Sequence, residues 1–211
     1  MIAGNDVVDL KDPANHPSSI HPRFDRRVFD ARETRLLDEA LDENARHRLR
    51  WTLWAAKEAA LKALRQSRPD LPFHPAEMHV NLGPSGTGRV RSGEEALLAQ
   101  LDVTEERIHA IVADVPLDLE GHDGFVVLRR RDADEDETVG SDTLRRRCAV
   151  RLARRLGVRE ERVDISPPGG ARPGGAPVAR ADGRDVDAVI SFSHDGRWDA
   201  AIVVSRPASP A

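Results

Sequence analysis

The chain has 211 residues, 32% of them charged, with 36 acidic against 32 basic side chains and a net charge of −4. It is long enough to bury one medium or two small cores, and it carries no overall basic field of the kind that holds nucleic acid. No apolar run reaches the length of a membrane span and no charged-then-apolar leader opens the chain; Cys148 is the single cysteine, so an internal disulfide and a thiolate metal site are excluded. The expectation is a cytoplasmic protein with neither a membrane nor a nucleic acid as partner.

Ile2 to Leu10 reads as a short buried strand with carboxylates inserted at Asp6 and Asp9. Buried carboxylates are costly unless paired or bound to a cation, whereas a turn or cap residue needs neither, and both readings stand. Asp30 can cap a helix running through Leu36 and Leu37, with Glu33 at capping-box spacing. A long helix follows from about Glu43 and ends before Pro69. On it Leu49, Leu53, Ala56, Ala60 and Leu64 form one stripe, and Trp51, Ala55, Glu58 and Lys62 a second stripe roughly opposite. A helix apolar on two sides is expected to be enclosed on both, which places Glu58 and Lys62, at i,i+4, against a second surface. The two read either as a routine surface ion pair or as a carboxylate for a metal and an ammonium for a phosphate. Asp6 with Glu58 would make a hard, all-oxygen site of the kind Mg²⁺ takes, completed by water and substrate phosphate.

Met78 to Leu82 and Gly88 to Arg91 read as strands joined by a glycine-rich turn. That turn lacks the Gly-Lys-Ser/Thr ending of a phosphate-binding loop, so a hairpin is expected. Ile108 to Val115 and Phe125 to Leu128 are further strands, and the acidic run from Asp132 to Glu137 suits a solvated linker. A second helix opens at Ser141-Asp142, carries Leu144, Cys148, Leu152 and Leu156 every four residues, and stops at Gly157. Its other faces hold Arg145, Arg146, Arg147, Arg151, Arg154 and Arg155, either a solvated face or a basic surface for an acidic partner. A strand at Val163 to Ile165 and a Pro/Gly loop from Pro167 to Pro177 come next. Val186 to Phe192 and Trp198 to Ser205 then form a strand pair joined by a turn at Ser193-His194-Asp195-Gly196-Arg197.

Gly4-Asn5-Asp6-Val7-Val8-Asp9-Leu10, followed downstream by Trp54-Ala55-Ala56-Lys57-Glu58-Ala59-Ala60-Leu61-Lys62, resembles the 4′-phosphopantetheinyl transferase superfamily. That family pairs a Gly-x-Asp strand with a Lys-Glu helix. Arg26-Arg27-Val28-Phe29-Asp30-Ala31-Arg32-Glu33 looks like a stretch of the holo-acyl-carrier-protein synthases, and Ser191-Phe192-Ser193-His194 looks like the family's Ser-His segment. The resemblance implies an α+β fold of two similar modules, each a small antiparallel sheet packed with helices. A pseudo-twofold would relate them, with the active site in the cleft between. The modules would span 1–131 and 138–211, in swapped order relative to the surfactin-type enzymes, and the protein would act as a monomer.

The implied reaction is Mg²⁺-dependent transfer of the 4′-phosphopantetheine group of coenzyme A to a serine of an acidic acyl or peptidyl carrier protein. By the same resemblance Asp6 and Glu58 hold the metal, Glu58 or a metal-bound water it orients is the general base, and Lys62 contacts phosphate and assists its departure. Ser193 and His194 contact coenzyme A. The family's Gly-Lys/Arg-Pro stretch is poorly reproduced, which leaves Arg172 and Arg180 as candidates for the adenine-side phosphate. Asp9 reads as structural. Arg26 and Arg27 lie in the stretch that faces the carrier, unless Arg27 pairs with Glu33. The alternatives are a non-catalytic relative that binds coenzyme A or a carrier protein, and a different Mg²⁺-dependent enzyme acting on a nucleotide pyrophosphate.

Overall fold

The computed structural model describes residues 1–83, 86–119, 124–132, 135, 137–166 and 176–205. The first strand, β1 (Ala3–Asp9), is buried along its whole length. Two short 3-10 turns lead to helices α1 (Phe24–Val28), α2 (Ala31–Asp38) and α3 (Glu43–Arg65). Asp30 and Glu33 close the expected capping box on α2, and Asp42 caps α3 by accepting from the Ala45 N–H at 2.7 Å. Two hairpins follow, β2 (Met78–Leu82) with β3 (Thr87–Ser92) and β4 (Glu95–Val103) with β5 (Arg107–Ala113). Together these strands form an antiparallel sheet in the order β1-β5-β4-β3-β2.

The second half repeats part of this connectivity. Strand β6 (Gly124–Arg130) is followed by helix α4 (Glu137–Leu156), then by β7 (Val163–Ser166), β8 (Val178–Ala181) and β9 (Arg184–Asp185). A hairpin of β10 (Ala188–Asp195) and β11 (Trp198–Ser205) follows. β10, β11 and β6 form one sheet, and β7, β8 and β9 another. In both halves the first strand precedes a long helix and pairs antiparallel with the last strand of a closing hairpin: β1 with β5, and β6 with β11. The chain is an α+β protein of helices on antiparallel sheets.

Three cores hold it together. One lies between α3 and the five-stranded sheet, and a second between α4 and the strands beneath it, where Leu144, Cys148 and Leu152 are buried. The third joins the two halves through Ala3, Ile111, Ala113, Ile202 and Val204. Close approach of α3 to β1 depends on small residues: a Cβ on Gly4 would stand 2.2 Å from the Ala59 carbonyl oxygen and 2.5 Å from the Ala63 nitrogen. Gly4, Asp6 and Val8 alternate onto this α3-facing side.

Several elements differ from the sequence reading. β4 was not expected, because Glu95-Ala96-Leu97-Leu98-Ala99-Gln100-Leu101 is helix-forming in composition; pairing with β3 and β5 overrides that preference. α4 begins four residues ahead of Ser141, within the acidic run. β6 pairs in the second sheet, so a boundary at residue 131 separates it from the strand it bonds. β10 runs through His194 to Asp195, which puts Ser193 and His194 in a strand rather than in the turn. No helix among the described residues is long and apolar enough to cross a membrane.

Candidate active site

β1 is an edge strand, and its outward N–H groups would be orphaned without partners. Strand β10 supplies them with side chains. The N–H groups of Asn5 and Val7 donate to Ser191 Oγ and Ser193 Oγ, each at 3.1 Å, and that of Asp9 donates to Asp195 Oδ2 at 2.7 Å. The i, i+2, i+4 spacing matches on both strands because both have period two.

This docking brings Ser193 to Asp6. Ser193 Oγ donates to Asp6 Oδ1 at 2.8 Å, and Lys62 Nζ, reaching across from α3, donates to the same oxygen at 2.7 Å. Glu58 lies one helical turn before Lys62, half-buried, and makes no hydrogen bond or ion pair among the described residues. Burial, and then the charge of Asp6, push its carboxyl above the usual value, with Lys62 and Arg65 partly offsetting them. Asp6, Glu58, Lys62 and Ser193 therefore form one cluster. The simple Glu58–Lys62 surface pair is absent; Lys62 bonds Asp6.

Two carboxylates, one of them without a partner among the described residues, fit a hard cation by donor chemistry. Among the described residues no group of three or more His, Cys, Asp or Glu side chains is arranged to hold a metal. Asp6 and Glu58 would supply only part of an oxygen shell, of the kind Mg²⁺ takes when phosphate and water complete it. Asp9 is not available to such an ion. It is fully buried, and Arg197 grips both its oxygens at 2.8 Å, with further N–H donors from Arg197 and Lys11 at 2.9 Å.

His194 follows Ser193 but alternates to the other face of β10, where it is exposed and stands opposite Asp199 of β11. Arg180 sits on β8 with its Nε 2.9 Å from Asp185 Oδ1, and Arg172 lies outside the described residues. Lys57, beside Glu58 in sequence, is turned into the core. It bonds Glu33 Oε2 at 2.5 Å and the Val28 and Pro75 carbonyls at 2.8 Å, a buried ion pair with its donors satisfied. Glu33 is thereby spent on Lys57, and Arg26 and Arg27 stay exposed without partners among the described residues.

Sequence reasoning gave no role to Asn15, Ser191, Asp195 or Arg197. Asn15 Nδ2 bridges the Asp9 carbonyl at 3.0 Å and Asp195 Oδ2 at 2.6 Å, and Trp51 Nε1 donates to the Asn15 carbonyl at 3.0 Å. The available signal was polar residues at 191, 193 and 195 on alternate positions of a strand that is otherwise apolar up to His194.

The family model of the 4′-phosphopantetheinyl transferase superfamily matches residues 3–116, more than half of the 211. The chain belongs to this superfamily. The matched span runs from β1 past the end of β5, so it contains Asp6, Glu58 and Lys62 and stops short of Ser193 and His194. A search of curated proteins found no match to the chain. Phosphopantetheinyl transferases use coenzyme A as donor and act on carrier proteins.

Proposed function

We propose that this phosphopantetheinyl transferase moves the 4′-phosphopantetheine group of coenzyme A to a serine of an apo acyl or peptidyl carrier protein, releasing adenosine 3′,5′-bisphosphate. The observation that carries the reading is Glu58: a half-buried carboxylate without a partner among the described residues, one turn from a lysine that already holds the neighbouring Asp6. Asp6 and Glu58 would hold Mg²⁺, which when bound supplies positive charge to the pyrophosphate of coenzyme A.

The acceptor serine oxygen forms the new bond to the β-phosphorus, and the bond from that phosphorus to the bridging oxygen breaks. The bridging oxygen leaves with the adenosine bisphosphate. Lys62, 31% exposed and fixed by Asp6, presents its ammonium to the leaving phosphate. Glu58, directly or through a water it orients, receives the serine proton. Ser193 keeps Asp6 aligned, and the exposed His194 offers a contact to coenzyme A phosphate. Such catalysis rests on positioning and charge neutralisation rather than on a protein nucleophile.

The shared connectivity of the two halves supports a pseudo-twofold arrangement with this cluster at their junction, and a monomer that needs no second copy to complete its cleft. The test is the mass of an apo carrier protein incubated with coenzyme A, Mg²⁺ and the enzyme. The expected result is a gain of one phosphopantetheine, suppressed by EDTA and restored by Mg²⁺. Binding of coenzyme A or carrier with no mass gain would leave a non-catalytic relative.

A further inference from the structure

Past the end of β1 the chain encloses a second basin. The turn after β1, the two 3-10 turns (Pro13–Asn15 and Pro17–Ser19), the first turns of α3 and Glu105 between β4 and β5 surround a cavity of about 650 Å³. Its acidic side chains are engaged. Glu105 pairs with Arg48 at 3.1 Å, and Asp12 accepts from the Ala14 N–H at 2.7 Å while its other oxygen lies beside Gly196. Three basic side chains keep donors to spare. The exposed Lys11 ammonium makes no hydrogen bond or ion pair among the described residues. His16 Nδ1 accepts from the Ser18 N–H at 3.3 Å, which leaves the ring proton on Nε2.

The third is His47, whose Nδ1 is buried and has no partner among the described residues. A buried nitrogen in a polar cavity calls for a water or a ligand to complete it. The charges that act on this ring are of one sign. Burial, and then Arg50, His16 and Lys11, hold it below the ordinary value of 6.5, and no carboxylate shifts it the other way. A bound anion would reverse that balance. A carboxylate would be neutralised by Lys11 alone, whereas a phosphate dianion has charge and oxygens left for both imidazoles. The cavity is also large enough to hold an organic group beside a phosphate.

We propose that this basin is an anion site, separate from the Asp6–Glu58 cluster, that takes the phosphate group of a small molecule on Lys11, His16 and His47. Its separation follows from α3, on which His47 stands about 16 Å before Glu58, so a diphosphate held at Glu58 does not also reach it. Occupancy is measured without turnover, so the proposal does not depend on the transferase reading.

The test is calorimetric titration of the full chain at constant ionic strength with inorganic phosphate and, separately, with glycerol 3-phosphate. Lys11→Gln and His47→Phe are titrated in parallel, and coenzyme A is added as a competitor. The expected result is one phosphate group per chain, bound about tenfold more weakly by each variant, as for one lost charge-assisted hydrogen bond. Tighter binding of glycerol 3-phosphate would make the ligand an organic phosphate, and equal binding would make it phosphate itself; both support the site. In NMR titrations the His47 ring should protonate at higher pH with phosphate than with chloride. Lys11 is exposed, so Lys11→Gln should keep the wild-type melting temperature and serves if His47→Phe does not fold. Wild-type affinity in Lys11→Gln, or a His47 titration that phosphate leaves unmoved, would mean an adventitious ion only and overturn the proposal. Displacement of the phosphate by coenzyme A would make the basin part of the donor site and overturn its separation. Failure of the wild type to modify a carrier protein would count against the transferase reading and leave this result standing.

Discussion

Arg197 closes on Asp9 with both ends of its guanidinium and with its own backbone N–H, and so ties the turn after β10 to the end of β1. The turn fits only because Gly196 has φ +49° and no side chain; a Cβ there would stand 2.6 Å from Asp9 Oδ2. Burial pushes the Asp9 carboxyl up, but the hydrogen bonds from Arg197 and Lys11 outweigh it and hold the group below its ordinary value of 3.8. An acid depressed in the folded state stabilises above its unfolded value and loses that contribution as pH falls through the folded one.

Asp9→Asn should therefore cost about 3 kcal/mol at neutral pH, the low end for removing one partner of a buried pair. The loss should shrink below pH 3.8, where the wild type also protonates. Urea unfolding of both proteins across pH 3 to 7 checks it, and an Asp9→Asn protein as stable as the wild type at neutral pH would remove the pair from the structural account.

The metal hypothesis makes a different demand on Asp6 and Glu58. Asp6→Ala and Glu58→Gln should each abolish most transfer, and the double variant should lose little more than either single one, because both changes destroy one site. Circular dichroism should stay unchanged. Full activity of either variant at low Mg²⁺ would sink the shared-ion reading.

His109 of β5 is buried and accepts a hydrogen bond from the Asn5 amide at 3.2 Å, which requires a neutral ring. Burial, with help from Arg107, lowers its value from 6.5 to about 4. Between these limits the unfolded chain binds more protons, so stability should decline as pH falls from 6.5 to about 4. His109→Gln should remove that part of the slope. Equal slopes for the two proteins in thermal melts would show that His109 does not titrate on unfolding.

Because both halves of the proposed cleft lie in one chain, multi-angle light scattering should give a monomer, with specific activity independent of dilution. An obligate trimer whose activity falls on dilution would instead place the cleft between copies.

Arg26 and Arg27 stay exposed while Glu33 is held by Lys57. Arg26→Glu with Arg27→Glu should keep the wild-type melting temperature and raise KM for carrier protein while leaving KM for coenzyme A unchanged. An earlier melt with wild-type carrier kinetics would assign the pair to stability.

Much of the molecule was legible from local spacing. The apolar run around Asp6, the Asp30–Glu33 capping box and the two-sided pattern of α3 are properties of neighbouring residues, so the sequence by itself determined β1, α2 and α3 and marked Asp6, Glu58 and Lys62 as a set. Tertiary structure alone decided who pairs with whom. Lys62 turns from Glu58 to Asp6, 56 positions away, and Lys57 into the core against Glu33, choices set by which surface covers each side of the helix. β4 is a strand despite helix-forming residues because two neighbours satisfy its backbone. Ser193 and His194 fall on opposite faces because β10 continues to Asp195, paired with β11 to its end, and its alternate side chains then accept from the free edge of β1.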